Sequence, residues 1–158
     1  MRKKLIFFLL IPFIFLVSNK IVKGQRNYDS LLSSLVQVIK NQENITDELL
    51  FQCIPISTNE YLIFSNLDYG KCQEDSYIFR KINELWVNKC IKKNINILHG
   101  YFEYSQFVDG YFADDYFDNI ERIFNSGKKN WFCKELHNCS QKKIRRLLKY
   151  IENNKLCE

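Results

Sequence analysis

The sequence predicts an all-α protein: one compact domain of six to seven antiparallel helices, stapled by disulfides, behind a cleaved N-terminal signal peptide. Three observations lead there. Apolar residues recur at spacings of three and four through most of the chain. Only five glycines and two prolines interrupt its 158 residues. Six cysteines, an even number, all stand after the leader-like start, which favours disulfides in an exported chain.

The leader comes first. Met1-Arg2-Lys3-Lys4 is basic, Leu5 to Val17 is unbroken apolar sequence, and Val22 and Gly24 occupy the minus-three and minus-one positions before Gln25. As a helix the apolar run spans about 20 Å at about 1.5 Å per residue, short of the roughly 30 Å hydrocarbon core of a membrane. Residues 1–24 therefore read as a signal peptide and 25–158 as a single helical domain, with no linker composition or repeat to divide it.

Within the domain, Leu31, Leu32, Leu35, Val36, Val38 and Ile39 mark a first amphipathic helix from Asp29 that fades at Asn41. Thr46 to Cys53 forms a short second helix, stopped at Ile54-Pro55 because proline pushes its predecessor out of the helical region. Ser57-Thr58-Asn59-Glu60 is a capping box opening a third segment through Leu67, and Asp68-Tyr69-Gly70 is a turn. The longest helix runs from about Asp75 to about Lys93, with Ile78, Phe79, Ile82, Leu85, Trp86 and Cys90 on one face. Ile95 to Phe107 repeats the pattern until Asp109-Gly110 breaks it. Phe112, Tyr116, Phe117, Ile120 and Phe124 follow, ending near Ser126-Gly127, where glycine suits the residue past a helix terminus. A short segment around Trp131–Leu136 precedes a basic terminal helix, capped by Ser140 and carrying Ile144, Leu147, Leu148 and Ile151.

All six cysteines, Cys53, Cys72, Cys90, Cys133, Cys139 and Cys157, are expected to be structural staples. Cys72 and Cys90 bracket the long helix, and Cys139 and Cys157 the terminal one. Rods of roughly 20 to 25 Å at about 1.5 Å per residue keep each pair apart, whereas bridged Cα atoms approach within about 7 Å. Pairings between helices are expected instead: Cys53 with Cys72 or Cys90, and Cys157 with a cysteine outside its own helix. Cys133-x3-His137-x-Cys139 gathers three ligand types, but its spacing is not a recurrent zinc pattern, and no metal or cofactor is expected.

Charge excludes one function class. The leader holds five of the 23 basic residues and none of the 18 acids, so the formal +5 belongs to the leader and the remainder is neutral. A chain of that balance is not built to neutralise nucleic-acid phosphates. Its charges are segmented instead. Residues 101–121 carry six acids and no base among eight aromatics, while 122–158 carry ten bases against three acids. Asp114, Asp118 and Glu121 share one helical face, with Asp109 and Asp115 nearby, as a surface for a basic partner or as the solvated back of an aromatic helix in which Asp118 pairs with Arg122. Lys142, Lys143, Arg145 and Arg146 on the terminal helix form a second candidate surface, with the pattern of a membrane-surface or partner helix, and equally of a helix docked on its own core.

The chain has only two histidines, His99 and His137, and no GxSxG, HExxH, phosphate-binding glycine loop or EF-hand loop. The sequons Asn44-Ile45-Thr46 and Asn138-Cys139-Ser140 are no more than chance supplies in so asparagine-rich a chain. The expected function is non-enzymatic: an exported protein, periplasmic or extracellular, that binds another protein as an interaction, inhibitor or immunity-type factor. It would touch the membrane only through its signal peptide before cleavage. The alternatives are a small exported hydrolase using carboxylates of the 109–121 block with His99 or His137, or a carrier of a small hydrophobic ligand.

Overall fold

The structure, a computed structural model, describes residues 26–68 and 73–157. The expected signal peptide, the Tyr69-Gly70 part of the turn and Cys72 lie outside those residues. Eight α-helices succeed one another among the described residues: α1 (Tyr28–Lys40), α2 (Asp47–Gln52), α3 (Thr58–Ser65), α4 (Gln73–Ile91), α5 (Ile95–Tyr104), α6 (Gly110–Phe124), α7 (Lys129–Asn138) and α8 (Arg145–Asn153). No strand is present among the described residues. The count exceeds the expected six to seven because the short segment around Trp131 extends into the full helix α7, anchored by buried Phe132 and Leu136.

Helix starts follow local chemistry. The side chains of Asn27, Thr46, Ser57 and Asn94 each accept a hydrogen bond from a first-turn N–H of α1, α2, α3 and α5. Only half of the expected capping box forms. Ser57 Oγ accepts from Glu60 N at 3.3 Å, but the Glu60 carboxylate turns to the Ile56 N–H at 2.7 Å and to the Arg26 guanidinium. Arg26 also donates to the carbonyls of Gln52 and Ile54, tying the chain ahead of α1 to the α2–α3 connection. Ends are equally local: Gly127 past α6 takes φ +87, while Gln42 and Lys93 adopt the left-handed conformation after α1 and α4 without being glycine.

The core is aromatic. Phe64, Trp86, Tyr101, Tyr104, Phe102 and Phe132 are wholly or almost wholly enclosed, and α4 and α5 pack most extensively on one another. Phe64 packs in tilted contacts with Phe79 at 4.8 Å and Trp86 at 5.0 Å, and the Trp86 indole donates to Leu50 O at 2.9 Å. That bond satisfies a polar group which would otherwise cost about 1–3 kcal/mol unpaired. Gly100 lets α5 close on α2: a Cβ there would stand 3.0 Å from Ile54 Cδ1 and 3.3 Å from Phe51 Cε2.

Three further expectations are corrected. Ser140 makes no side-chain cap; Gln141–Lys143 form a 3₁₀ turn and α8 starts at Arg145, so Lys142 and Lys143 are not on the helix that holds Arg145 and Arg146. The reason is Ile144, which is fully buried at the joint and makes the chain turn before the helix begins. Arg122 pairs with Glu84 of α4 rather than with Asp118, because α4 brings a second carboxylate within reach of both guanidinium nitrogens.

The cysteines are the third. One bridge joins Cys133 of α7 to Cys157 beyond α8, as expected of a pairing outside the terminal helix. Cys53, Cys90 and Cys139 are free thiols rather than staples. Each is sealed into the core on its own, and Cys53 Sγ contacts the Leu31 carbonyl at 3.5 Å. Burial pushes the Cys53 thiol up to about 12 and Cys139 to about 11, so both stay protonated.

Candidate functional site: an acidic, aromatic-floored cleft between α4 and α6

The amphipathic pattern of α6 turns Phe112, Ala113, Tyr116, Ile120 and Ile123 inward and leaves Asp114, Asp115 and Asp118 exposed. Where α6 faces α4, the helices enclose an open cleft of about 250 Å³. Its floor is aromatic: Phe79 from α4, Tyr104 from α5, and Phe112 and Tyr116 from α6. The Phe79 and Phe112 rings lie 4.9 Å apart, and Tyr116 packs edge-on against Tyr104 at 5.7 Å. The Tyr116 hydroxyl donates to Tyr101 O at 3.0 Å, fixing the ring.

The walls are polar. Asp115, Asp118 and Asn119 stand on the α6 side, and Arg80, Asn83 and Glu84 on the α4 side. Three carboxylates face the single guanidinium of Arg80, which itself donates to Ser76 Oγ at 3.1 Å. Glu84 is already engaged by Arg122, whose hydrogen bonds hold its carboxyl below the usual range. Asp115 and Asp118 enter no ion pair among the described residues, so the mouth of the cleft keeps uncompensated negative charge.

The acidic residues singled out from sequence thus divide. Asp115 and Asp118 line the cleft; Asp114 is exposed beside them. Asp109 precedes α6 without capping it and accepts from the Tyr61 hydroxyl at 2.9 Å. Glu121 accepts from the Tyr150 hydroxyl of α8 at 2.6 Å. Burial, with that carboxylate beside it, pushes the Tyr150 phenol up to about 12.

The basic stretch divides too. Lys143 pairs with Glu103 at 2.9 Å, and the Arg146 guanidinium lies 5.8 Å above the Phe117 ring, which stacks on Tyr150 at 4.1 Å. Lys142 and Arg145 are exposed. Opposite charge thus joins the C-terminal segment to α5 through Lys143 and Glu103, while its contacts with α6 run through the Phe117 ring and the Tyr150 hydroxyl.

The histidines are not brought to the 109–121 carboxylates. His99 Nε2 lies 3.1 Å from Glu135 Oε2 of α7, and Asn138 Nδ2 donates to the same oxygen at 3.2 Å. The Asn138 amide, with His99 beside it, holds the Glu135 carboxyl below its usual range. His137 is exposed, 2.6 Å from Cys133 O. Cys133, being disulfide-bonded, has no thiolate to offer a metal, and no group of three or more His, Cys, Asp or Glu side chains suited to a metal occurs among the described residues.

Sequence reasoning missed the α4 wall. Arg80, Asn83 and Glu84 sit among apolar periodic residues, and nothing in their spacing links them to α6. It missed Glu135 as well, 36 positions from His99. No described helix is long and apolar enough to cross a membrane. No family model matches the chain, and no curated protein or solved structure resembles it significantly.

Proposed function

We propose that this chain is an exported, non-enzymatic binding protein that engages another protein through the acidic, aromatic-floored cleft between α4 and α6. The observation that carries the reading is the pair of unengaged carboxylates, Asp115 and Asp118, above four aromatic rings in an open depression. Uncompensated surface charge steers a partner of opposite sign, and an open depression between two helices gives such an encounter a shape to fit. Export is supported by the leader-like start and fits the disulfide. An interaction, inhibitor or immunity-type role suits a small rigid domain of this kind.

The test is a benzophenone side chain placed at exposed Asp114 and photolysed in the native host, with the same group at Asp29 of α1 as control. The expected result is one discrete polypeptide adduct from position 114, absent from position 29 and weakened by Asp115→Asn/Asp118→Asn. Absence of any polypeptide adduct overturns the reading. The four rings of the floor also favour carriage of a small hydrophobic ligand, which an adduct of low mass would support.

A further inference from the structure

We infer that Asn44 is an N-glycosylation site, an inference that rests on the reading of the chain as exported. Composition explains why two sequons occur, Asn44-Ile45-Thr46 and Asn138-Cys139-Ser140, but the fold treats the two in opposite ways.

Asn44 stands in residues 43–46, which belong to no helix and connect α1 to α2. Its side chain is exposed and enters no hydrogen bond among the described residues. Gln42, in the left-handed conformation, and a bond from Asn41 Nδ2 to Glu43 Oε1 at 2.8 Å turn the chain out of α1 without using Asn44. Thr46 is exposed as well, and its Oγ1 accepts from Leu49 N at 3.2 Å, a bond that leaves the hydroxyl hydrogen free. Amide and hydroxyl, the two groups that define a sequon, are therefore both open on a surface loop, where a bulky solvated addition displaces nothing.

Asn138 is the contrary case. It is the last residue of α7, and its Nδ2 already donates to Glu135 Oε2 at 3.2 Å, the oxygen that also meets His99 of α5. The middle residue of its sequon, Cys139, is 8% exposed and belongs to the core. A sugar on that nitrogen would crowd the contact between α7 and α5, a cost that Asn44 does not carry.

The location also suits the proposed binding face. Glu43 and Ile45, on either side of Asn44, border a depression on the α1 side of α4 together with Tyr77 and Lys81. The acidic cleft borders the α6 side of the same helix through Arg80, Asn83 and Glu84. α4 stands between them, so a glycan on this loop leaves the cleft open.

The step joins Asn44 Nδ2 to the anomeric carbon of a glycan carried on a polyprenyl diphosphate lipid, transferred by a membrane enzyme of the export route. The bond from that carbon to the diphosphate oxygen breaks, its electron pair leaves with the diphosphate, and the amide nitrogen loses one proton. Nothing is oxidised or reduced.

The test is a peptide map of the full chain purified from its native host. Peptide N-glycosidase in heavy-oxygen water turns a glycosylated asparagine into labelled aspartate, read against a sample without the enzyme. Label at Asn44 and none at Asn138 is expected. Thr46→Asn removes the sequon yet keeps a capping side chain for α2, and is expected to abolish the label, whereas Thr46→Ser is expected to keep it. An unlabelled Asn44 in a chain that begins at Gln25 overturns the inference and leaves export standing. An unlabelled Asn44 in a chain that keeps its leader overturns both. Label at Asn138, with or without label at Asn44, overturns the distinction drawn from the fold and the inference with it. Label at Asn44 that survives Thr46→Asn overturns the sequon as its cause.

Discussion

Glu84 and Arg122 stand 38 positions apart and meet in a two-pronged ion pair, with Nη1 donating to Oε2 at 2.7 Å and Nη2 to Oε1 at 2.6 Å. The pair fixes α6 against α4 at the edge of the cleft. It also takes Arg122 away from Asp118, leaving that carboxylate to the mouth. One long-range contact therefore sets both the spacing of the walls and the charge between them.

The first prediction concerns this pair. Both side chains are about 45% exposed, so solvent and salt screen their attraction. A double-mutant cycle with Glu84→Ala and Arg122→Ala, read by urea denaturation, should give a coupling of about 0.5–1 kcal/mol that shrinks at high salt. A coupling near zero at low salt would mean that packing alone holds the walls.

Glu60 predicts a pH dependence. Burial opposes its charge, but the Arg26 guanidinium and the Ile56 N–H outweigh burial and hold its carboxyl below the ordinary 4.5. A carboxyl whose folded pKa lies below its unfolded one contributes stability that is complete above the unfolded value and lost as pH falls through the folded one. Glu60→Gln should cost about 2 kcal/mol at neutral pH, with the deficit narrowing as the solution is acidified below 4.5. Denaturation midpoints of both proteins from neutral to acid pH check this; a constant difference would remove the ion pair as its source.

What was legible in the sequence was local. Ser57 caps α3 because an N-cap side chain reaches only its own first turn, and Gly127 follows the end of α6 because few other residues take φ +87 without strain. The apolar stripe of α6 placed Phe112, Tyr116, Ile120 and Phe124 in the core, and with them the outward aspartates. What was not legible depended on packing. A spacing of four offers Asp118 to Arg122, yet the fold offers Glu84. Six cysteines suggest three bridges, yet a bridge needs two Cα atoms at a distance such as the 5.7 Å between Cys133 and Cys157, and sequence fixes no such distance. Ser140 resembles a cap, but burial of Ile144 governs where α8 starts.

The free thiols predict selective inertness. Cys53 and Cys90 are fully buried and Cys139 is 8% exposed, with every thiol raised by desolvation and thus protonated at neutral pH. Iodoacetamide applied to the native protein should leave Cys53, Cys90 and Cys139 unmodified in a peptide map, and should label all three once urea unfolds the chain. Rapid labelling of Cys139 in the native protein would show that the end of α7 opens locally.

The disulfide predicts how the C-terminus is held. Cys133 and Cys157 close a segment with a sequence separation of 24, and the chain-entropy account assigns such a loop about 3 kcal/mol of stabilisation, acting on the unfolded ensemble. α8 also docks through Ile144, Leu147 and Ile151, which are at most 4% exposed, and through Tyr150 on Phe117. Cys133→Ser/Cys157→Ser should therefore lower stability by about that amount while α8 stays in place, because its apolar face does not depend on the bridge. Hydrogen exchange separates this from local detachment: amides of α8 should lose protection only in step with those of α4. If α8 exchanges freely while α4 remains protected, the bridge acts as a clamp on the terminal helix rather than as a constraint on the unfolded chain.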